Sequence, residues 1–146
     1  MIRVVLAPFI FVFHTFLQIT NLAFWGMLII ILGLVKLVMP NGKIKTFWNK
    51  IMHACMFAFG RISVLMIRLF NNVRIVNQIH GELAKNSWYL IIANHLSYLD
   101  IILLIEFATY RIPAPKFFLK KELIWLPFVG LGDWTLDMPF MHRYTK

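Results

Sequence analysis

The sequence predicts a membrane-anchored α/β protein, and three observations predict it. No Lys, Arg, Asp or Glu occurs in the 32 residues between Arg3 and Lys36. A basic helical pattern follows from Lys45 to Phe70, and from Val73 onward extended apolar segments alternate with a helical one. The 146 residues allow about one domain. Sixty per cent are hydrophobic and 14% charged, against roughly 25% charged in a soluble domain. Together with a mean hydropathy of +0.74, this composition belongs to a membrane protein. Fifteen Lys and Arg against six acidic residues give a net charge of +9, which suits either nucleic acid or anionic lipid. The aromatic residues sit mainly in apolar runs rather than among the basic ones, so membrane lipid is the expected partner and nucleic acid is not.

The uncharged run exceeds the roughly 20 residues that cross a bilayer core. It is also longer than the ~7–15 apolar residues of a cleavable signal peptide, so the segment is expected to stay attached. Pro8 suits a first helical turn and Pro40-Asn41-Gly42 a stop, which predicts a helix from about Pro8 to Val38 within an anchor unit of residues 1–42. His14, Gln18 and Asn21 recur at helical spacing and share a face. Polar groups at membrane depth seek protein partners, so this stripe is expected to pack against the next helix. Lys36, Lys43, Lys45 and Lys50 follow the run while one Arg precedes it, which places the C-terminal side on the cytoplasmic face.

Residues 43–72 read as a basic amphipathic helix lying in the headgroup layer, with Lys50, His53, Arg61 and Arg68 on its basic side and Asn71-Asn72 at its end. Residues 73–146 read as the opening of an α/β domain. Val73–Gly81 alternates apolar and polar residues as a half-buried strand does. Trp88–Ala93 is continuously apolar, as in a strand buried on both faces. Ser97 is an N-cap candidate for a helix through Phe107, with Asp100 at the capping-box position. Lys116–Leu119 reads as a short strand, Lys120–Leu126 as helical, and Trp134–Met141 as a further strand. Cys55, the sole cysteine, excludes an intramolecular disulfide and a cysteine-based zinc site, and reads as a small buried hydrophobe.

The chemistry concentrates in Asn94-His95-Leu96-Ser97-Tyr98-Leu99-Asp100, directly after an apolar run. An imidazole works as general base when its pKa lies near neutrality, and a carboxylate on its other nitrogen fixes tautomer and orientation. Asp100 also has a plain structural reading as a capping carboxylate, and the two roles are compatible. This N-H-x-S-x-x-D run resembles the first motif of the glycerolipid acyltransferases, including the lysophosphatidic acid acyltransferases. Lys120-Lys121-Glu122-Leu123 with Pro127 and Gly130 is similar to that family's K-x-E-L-x-x-x-P-x-x-G segment, and Phe140–Arg143 to its F-x-x-R block. The three matches follow the family's order from Trp88 to Arg143.

The resemblance implies the first part of a glycerolipid acyltransferase α/β domain. It implies that His95 and Asp100 are catalytic and that Arg143 holds the acceptor's phosphate, while Asn94 and Ser97 shape the substrate-binding turn; Lys120 is a further substrate-binding candidate beside Lys121, although the pair reads more simply as a solvated basic face. Glu122 reads as a salt-bridge partner of the adjacent lysines. The expected reaction moves a fatty acyl group from an acyl thioester, acyl-CoA or acyl-carrier protein, to a lysophospholipid hydroxyl, as in phospholipid synthesis or remodelling. No P-loop, dinucleotide fingerprint or metal motif occurs, so no protein-bound cofactor or metal is expected. The family's later Pro-Glu-Gly block has no counterpart before Lys146. The alternative expectation is therefore a truncated, non-catalytic membrane-anchored fragment that binds lipid or a partner.

Overall fold

In the computed structural model, residues 2–71 and 73–142 are described, and a helical hairpin organises them. Helix α1 spans Ile2–Leu37 and α2 spans Lys43–Asn71. Between them lies a tight turn in which Gly42 adopts φ 144°, a conformation glycine reaches without penalty. The polar stripe of α1 joins the two helices. Asn21 Nδ2 donates to the Phe59 carbonyl at 3.2 Å and to Ser63 Oγ at 2.9 Å. Gln18 Nε2 donates to the Ser63 carbonyl at 3.1 Å and lies 3.1 Å from His14 Nε2. Nearer the turn, Trp48 Nε1 donates to the Leu32 carbonyl at 2.7 Å. As residue numbers rise along α1 their partners' numbers fall along α2, so the helices are antiparallel. The expected packing of the stripe on the second helix is what the hairpin uses.

Both helices are long and apolar enough to cross a membrane, over Leu6–Leu37 and Lys43–Asn71. The first begins well before Pro8, which lies inside it. The second ends at Asn71, and Asn72, the other half of the expected stop, is outside the described residues.

The remaining elements dock on this hairpin. Helix α3, Tyr98–Ala108, packs on α2 at Gly60, where an added Cβ would come 2.6 Å from Ile105 Cγ2. Strand β1 is Leu119–Lys120, followed by a 3-10 helix over Lys121–Trp125. Helix α4, Val129–Thr135, lies along α1, and strand β2, Phe140–Met141, pairs parallel to β1. One core unites hairpin and docked segments: Ile29, Met52, Met56, Ile105, Leu119, Leu136 and Met138 are buried together with Cys55.

The α/β expectation is only partly met, because the described residues are mostly helical with little sheet. Val73–Gly81 forms no strand, and neither does Trp88–Ala93. The latter was expected to be buried on both faces, yet Trp88 is 99% and Ile92 88% exposed. A strand of that composition needs neighbours on both edges and cover on both faces. The one ladder among the described residues is too short and lies elsewhere. The strand expected over Trp134–Met141 survives only as β2. Its first part completes α4, and Asp137, at φ 59°, turns the chain before β2 begins. Gly130 permits this, since a Cβ there would overlap the backbone of Ile124.

Candidate functional site

Ser97 and Asp100 build the turn that carries His95. Ser97 is the N-cap of α3 with extended backbone, and Asp100 stands at the third helical position. The Asp100 carboxylate accepts the Ser97 N–H at 2.8 Å and the Leu96 N–H at 2.7 Å through Oδ2. Helix starts leave such donors without partners inside the helix, and a carboxylate there also meets the positive end of the helix dipole. These two backbone N–H groups, Ser97 first and Leu96 second, hold the Asp100 carboxyl below the usual aspartate range, and His95 adds a smaller pull in the same direction.

His95 Nδ1 lies 3.6 Å from the same Oδ2, in ion-pair range but beyond a hydrogen bond. The imidazole side chain is 60% exposed and the carboxylate 28%, so the pair is open to an incoming substrate. Contacts between catalytic groups are commonly long until substrate arrives. Asp100 is thus fixed by the backbone on the Nδ1 side of the imidazole, and Nε2 makes no hydrogen bond among the described residues.

Among the other residues implied by the sequence, Asn94 is exposed just before His95 and makes no hydrogen bond among the described residues. Ser97 contributes its backbone to Asp100. Lys120 is exposed on β1, in register with Met141 of β2, and no hydrogen bond or ion pair among the described residues ties it to His95 or Asp100. Arg143 lies outside the described residues. No ion pair among the described residues joins Glu122 to Lys120 or Lys121; the ion pairs formed are Lys36–Asp137, Arg68–Glu106 and His95–Asp100. The described residues contain no group of His, Cys, Asp and Glu able to hold a metal ion.

A clasp that sequence reading missed stands where the segment leading to His95 begins. Arg61 Nη1 donates to the Tyr110 hydroxyl at 3.1 Å, and the Tyr110 ring lies 5.5 Å from the Arg61 guanidinium and 4.9 Å from Lys85 Nζ. Next to it, the Tyr89 hydroxyl accepts the Ala84 N–H at 2.7 Å and donates to the Ala84 carbonyl at 3.2 Å. The contacts of Tyr110 with Arg61 and Lys85 join residues far apart in the chain and leave no periodic trace, so no sequence signal would have found them.

The comparisons bear on the same stretch. No curated protein matches the chain, and no solved structure does. A family model described as Acyltransferase matches residues 74–146, which includes the His95–Asp100 turn, the Lys120–Gly130 segment and the Phe140–Arg143 block. On that match, and on the motifs it contains, this chain belongs to the acyltransferase family.

Proposed function

We propose that the chain acts as a membrane-bound acyltransferase that moves a fatty acyl group from an acyl thioester to a lysophospholipid hydroxyl, with His95 as general base. One observation carries the reading: a backbone-fixed carboxylate 3.6 Å from His95 Nδ1, inside the segment that matches the family. His95 Nε2 removes the hydroxyl proton as the acceptor oxygen attacks the thioester carbonyl. Asp100 stabilises the imidazolium that results. The tetrahedral intermediate collapses, the C–S bond breaks, and the imidazolium proton passes to the departing thiolate. No acyl-enzyme is formed. Lys120 and Arg143 bind the acceptor's phosphate, Arg143 through its planar donor fork. Asn94 and Ser97 shape the turn. The acyl donor, acyl-CoA or acyl-carrier protein, is a co-substrate.

The apolar hairpin supports a membrane location; the cytoplasmic face is proposed for the acyltransferase segment from the lysines that follow the first apolar run, a placement in which α2 lies in the membrane without crossing back. His95→Ala, in membranes supplied with radiolabelled acyl donor and lysophosphatidate, is expected to lower transfer at least about a hundredfold. Transfer unchanged by the substitution sinks the assignment of His95. A second reading, a non-catalytic membrane-anchored fragment, is favoured by the unpaired, exposed run Trp88–Ala93. It predicts no transfer by the wild-type chain, although the chain inserts.

A further inference from the structure

Gly26 and Gly33 of α1 each meet one end of α4. A Cβ on Gly26 would come 2.7 Å from Phe128 Cβ, and one on Gly33 would overlap the Thr135 side chain. The interval between contacts is the same on both helices, about two turns, so α4 runs parallel to α1 in matched rise. One turn beyond Gly33 stands Lys36, a charge in the last turn of an otherwise apolar helix, and it is 5% exposed. Its Nζ donates to the Thr135 carbonyl at 2.7 Å and to Asp137 Oδ2 at 2.8 Å. A buried ammonium is tolerated only when such partners replace water, so the contact demands that the turn after α4 stay on α1.

That turn leads straight into the sheet. Asp137 holds φ 59°, a left-handed conformation that Asp and Asn adopt more readily than most residues. The Pro139 carbonyl then accepts the Leu119 N–H at 2.9 Å, and β2 aligns with β1 so that Met141 faces Lys120. We infer that Lys36 is a positioning residue: by pinning the Thr135–Asp137 turn to α1, it sets the place of β2 and, through β1, of Lys120. The helix that anchors the chain thereby holds the acceptor's phosphate site in register. The inference rests on the proposed acceptor site for its binding arm and on packing alone for its structural arm.

The test uses the full chain in lipid nanodiscs, as wild type, Lys36→Met, Asp137→Asn, Lys120→Gln and His95→Ala. Three quantities are read: amide hydrogen exchange, equilibrium binding of radiolabelled lysophosphatidate, and acyl transfer to it. Lys36→Met is expected to lose protection over residues 129–141 while α2 keeps its own, which separates undocking from failure to fold. Its lysophosphatidate Kd should rise about tenfold, the weight of a lost charged hydrogen-bond pair, and Lys120→Gln should weaken binding comparably. Asp137→Asn, which keeps the backbone conformation and an acceptor oxygen, should fall between wild type and Lys36→Met. His95→Ala should bind lysophosphatidate as wild type does while losing transfer; transfer that survives overturns the proposed general base and leaves the Lys36 inference standing. Protection of 129–141 unchanged in Lys36→Met, or lost with lysophosphatidate binding unchanged, overturns the inference. So does a wild-type chain that does not bind lysophosphatidate.

Discussion

Gly130 and Gly132 stand two residues apart on α4, both buried, and should respond to alanine with opposite signs. An added Cβ at Gly130 would overlap the backbone of Ile124 at its Cα, carbonyl carbon and oxygen. Those atoms belong to the 3-10 helix before Pro127 and have no rotamer with which to give way. Overpacking costs about 1–3 kcal/mol where side chains can adjust, and backbone obstruction puts Gly130→Ala at the upper end, about 3 kcal/mol. At Gly132 the nearest atom, Ile29 Cγ2, lies at 4.0 Å, an ordinary contact. There the dominant effect is the helix preference of alanine, a gain of about 0.5–1 kcal/mol. For a chain of this size, thermal unfolding in detergent micelles should show Gly130→Ala lowered by roughly 10 °C and Gly132→Ala raised by a few degrees. Shifts of the same sign, or a Gly130→Ala chain as stable as wild type, would refute the packing argument. The same result explains why the K-x-E-L-x-x-x-P-x-x-G pattern ends on glycine here: the chain doubles back on its own backbone after Pro127.

Two further expectations concern the hairpin and α4. Asn21→Leu removes hydrogen bonds to Phe59 and Ser63, and should cost about 1 kcal/mol, seen as faster exchange where α1 meets α2; unchanged exchange would mean that apolar packing alone holds the hairpin. Burial pushes the Asp133 carboxyl up to about 6, so the folded chain keeps a proton that the unfolded chain releases near the ordinary aspartate value of about 4. Stability should therefore fall as pH rises from about 4 to about 6, by up to about 3 kcal/mol, and level off above. Asp133→Asn should flatten that slope and stabilise the chain at neutral pH, and a slope that survives in the variant would assign it to other groups.

What was legible in the sequence is what local chemistry decides. The uncharged run, the spacing of His14, Gln18 and Asn21, the Ser97 cap and the Asp100 carboxylate three residues later depend on neighbours within a turn or two, and the helices form accordingly. The strands failed for the converse reason. Trp88–Ala93 has the composition of a central strand, but a strand is completed by partners distant in sequence, and periodicity does not reveal whether they are there. Trp134–Met141 misled differently. Its apolar character is real, but it is spent partly on a helix docked through Gly26 and Gly33, and glycine carries no hydropathy signal for a close approach. Lys36 was counted among the charges that orient the anchor, whereas its side chain is turned inward onto Asp137. The pairing of His95 with Asp100 was readable because both lie in one turn, while no link to Lys120 could be read from spacing.

Helix α1 therefore serves three surroundings along one rod, and its sequence is divided to match. Gln18 and Asn21 face α2, where the Phe59 and Ser63 carbonyls and the Ser63 hydroxyl give their amide N–H groups partners. Gly26, Gly33 and Lys36 face α4, where small residues permit contact and a lysine closes it. The rest of the surface is left to large apolar groups: Phe9, Phe11, Phe16 and Phe24 are each more than 60% exposed, and Ile19, Ile31 and Leu34 at least half exposed. A water-soluble chain rarely shows so continuous an apolar surface. Its extent along α1 fits lipid on the outward faces, while the inward faces couple the anchor to the segment that carries His95. On this division of labour, trimming outward phenylalanines should weaken membrane attachment and leave the docked segment in place. Changing Gly33 or Lys36 should do the reverse.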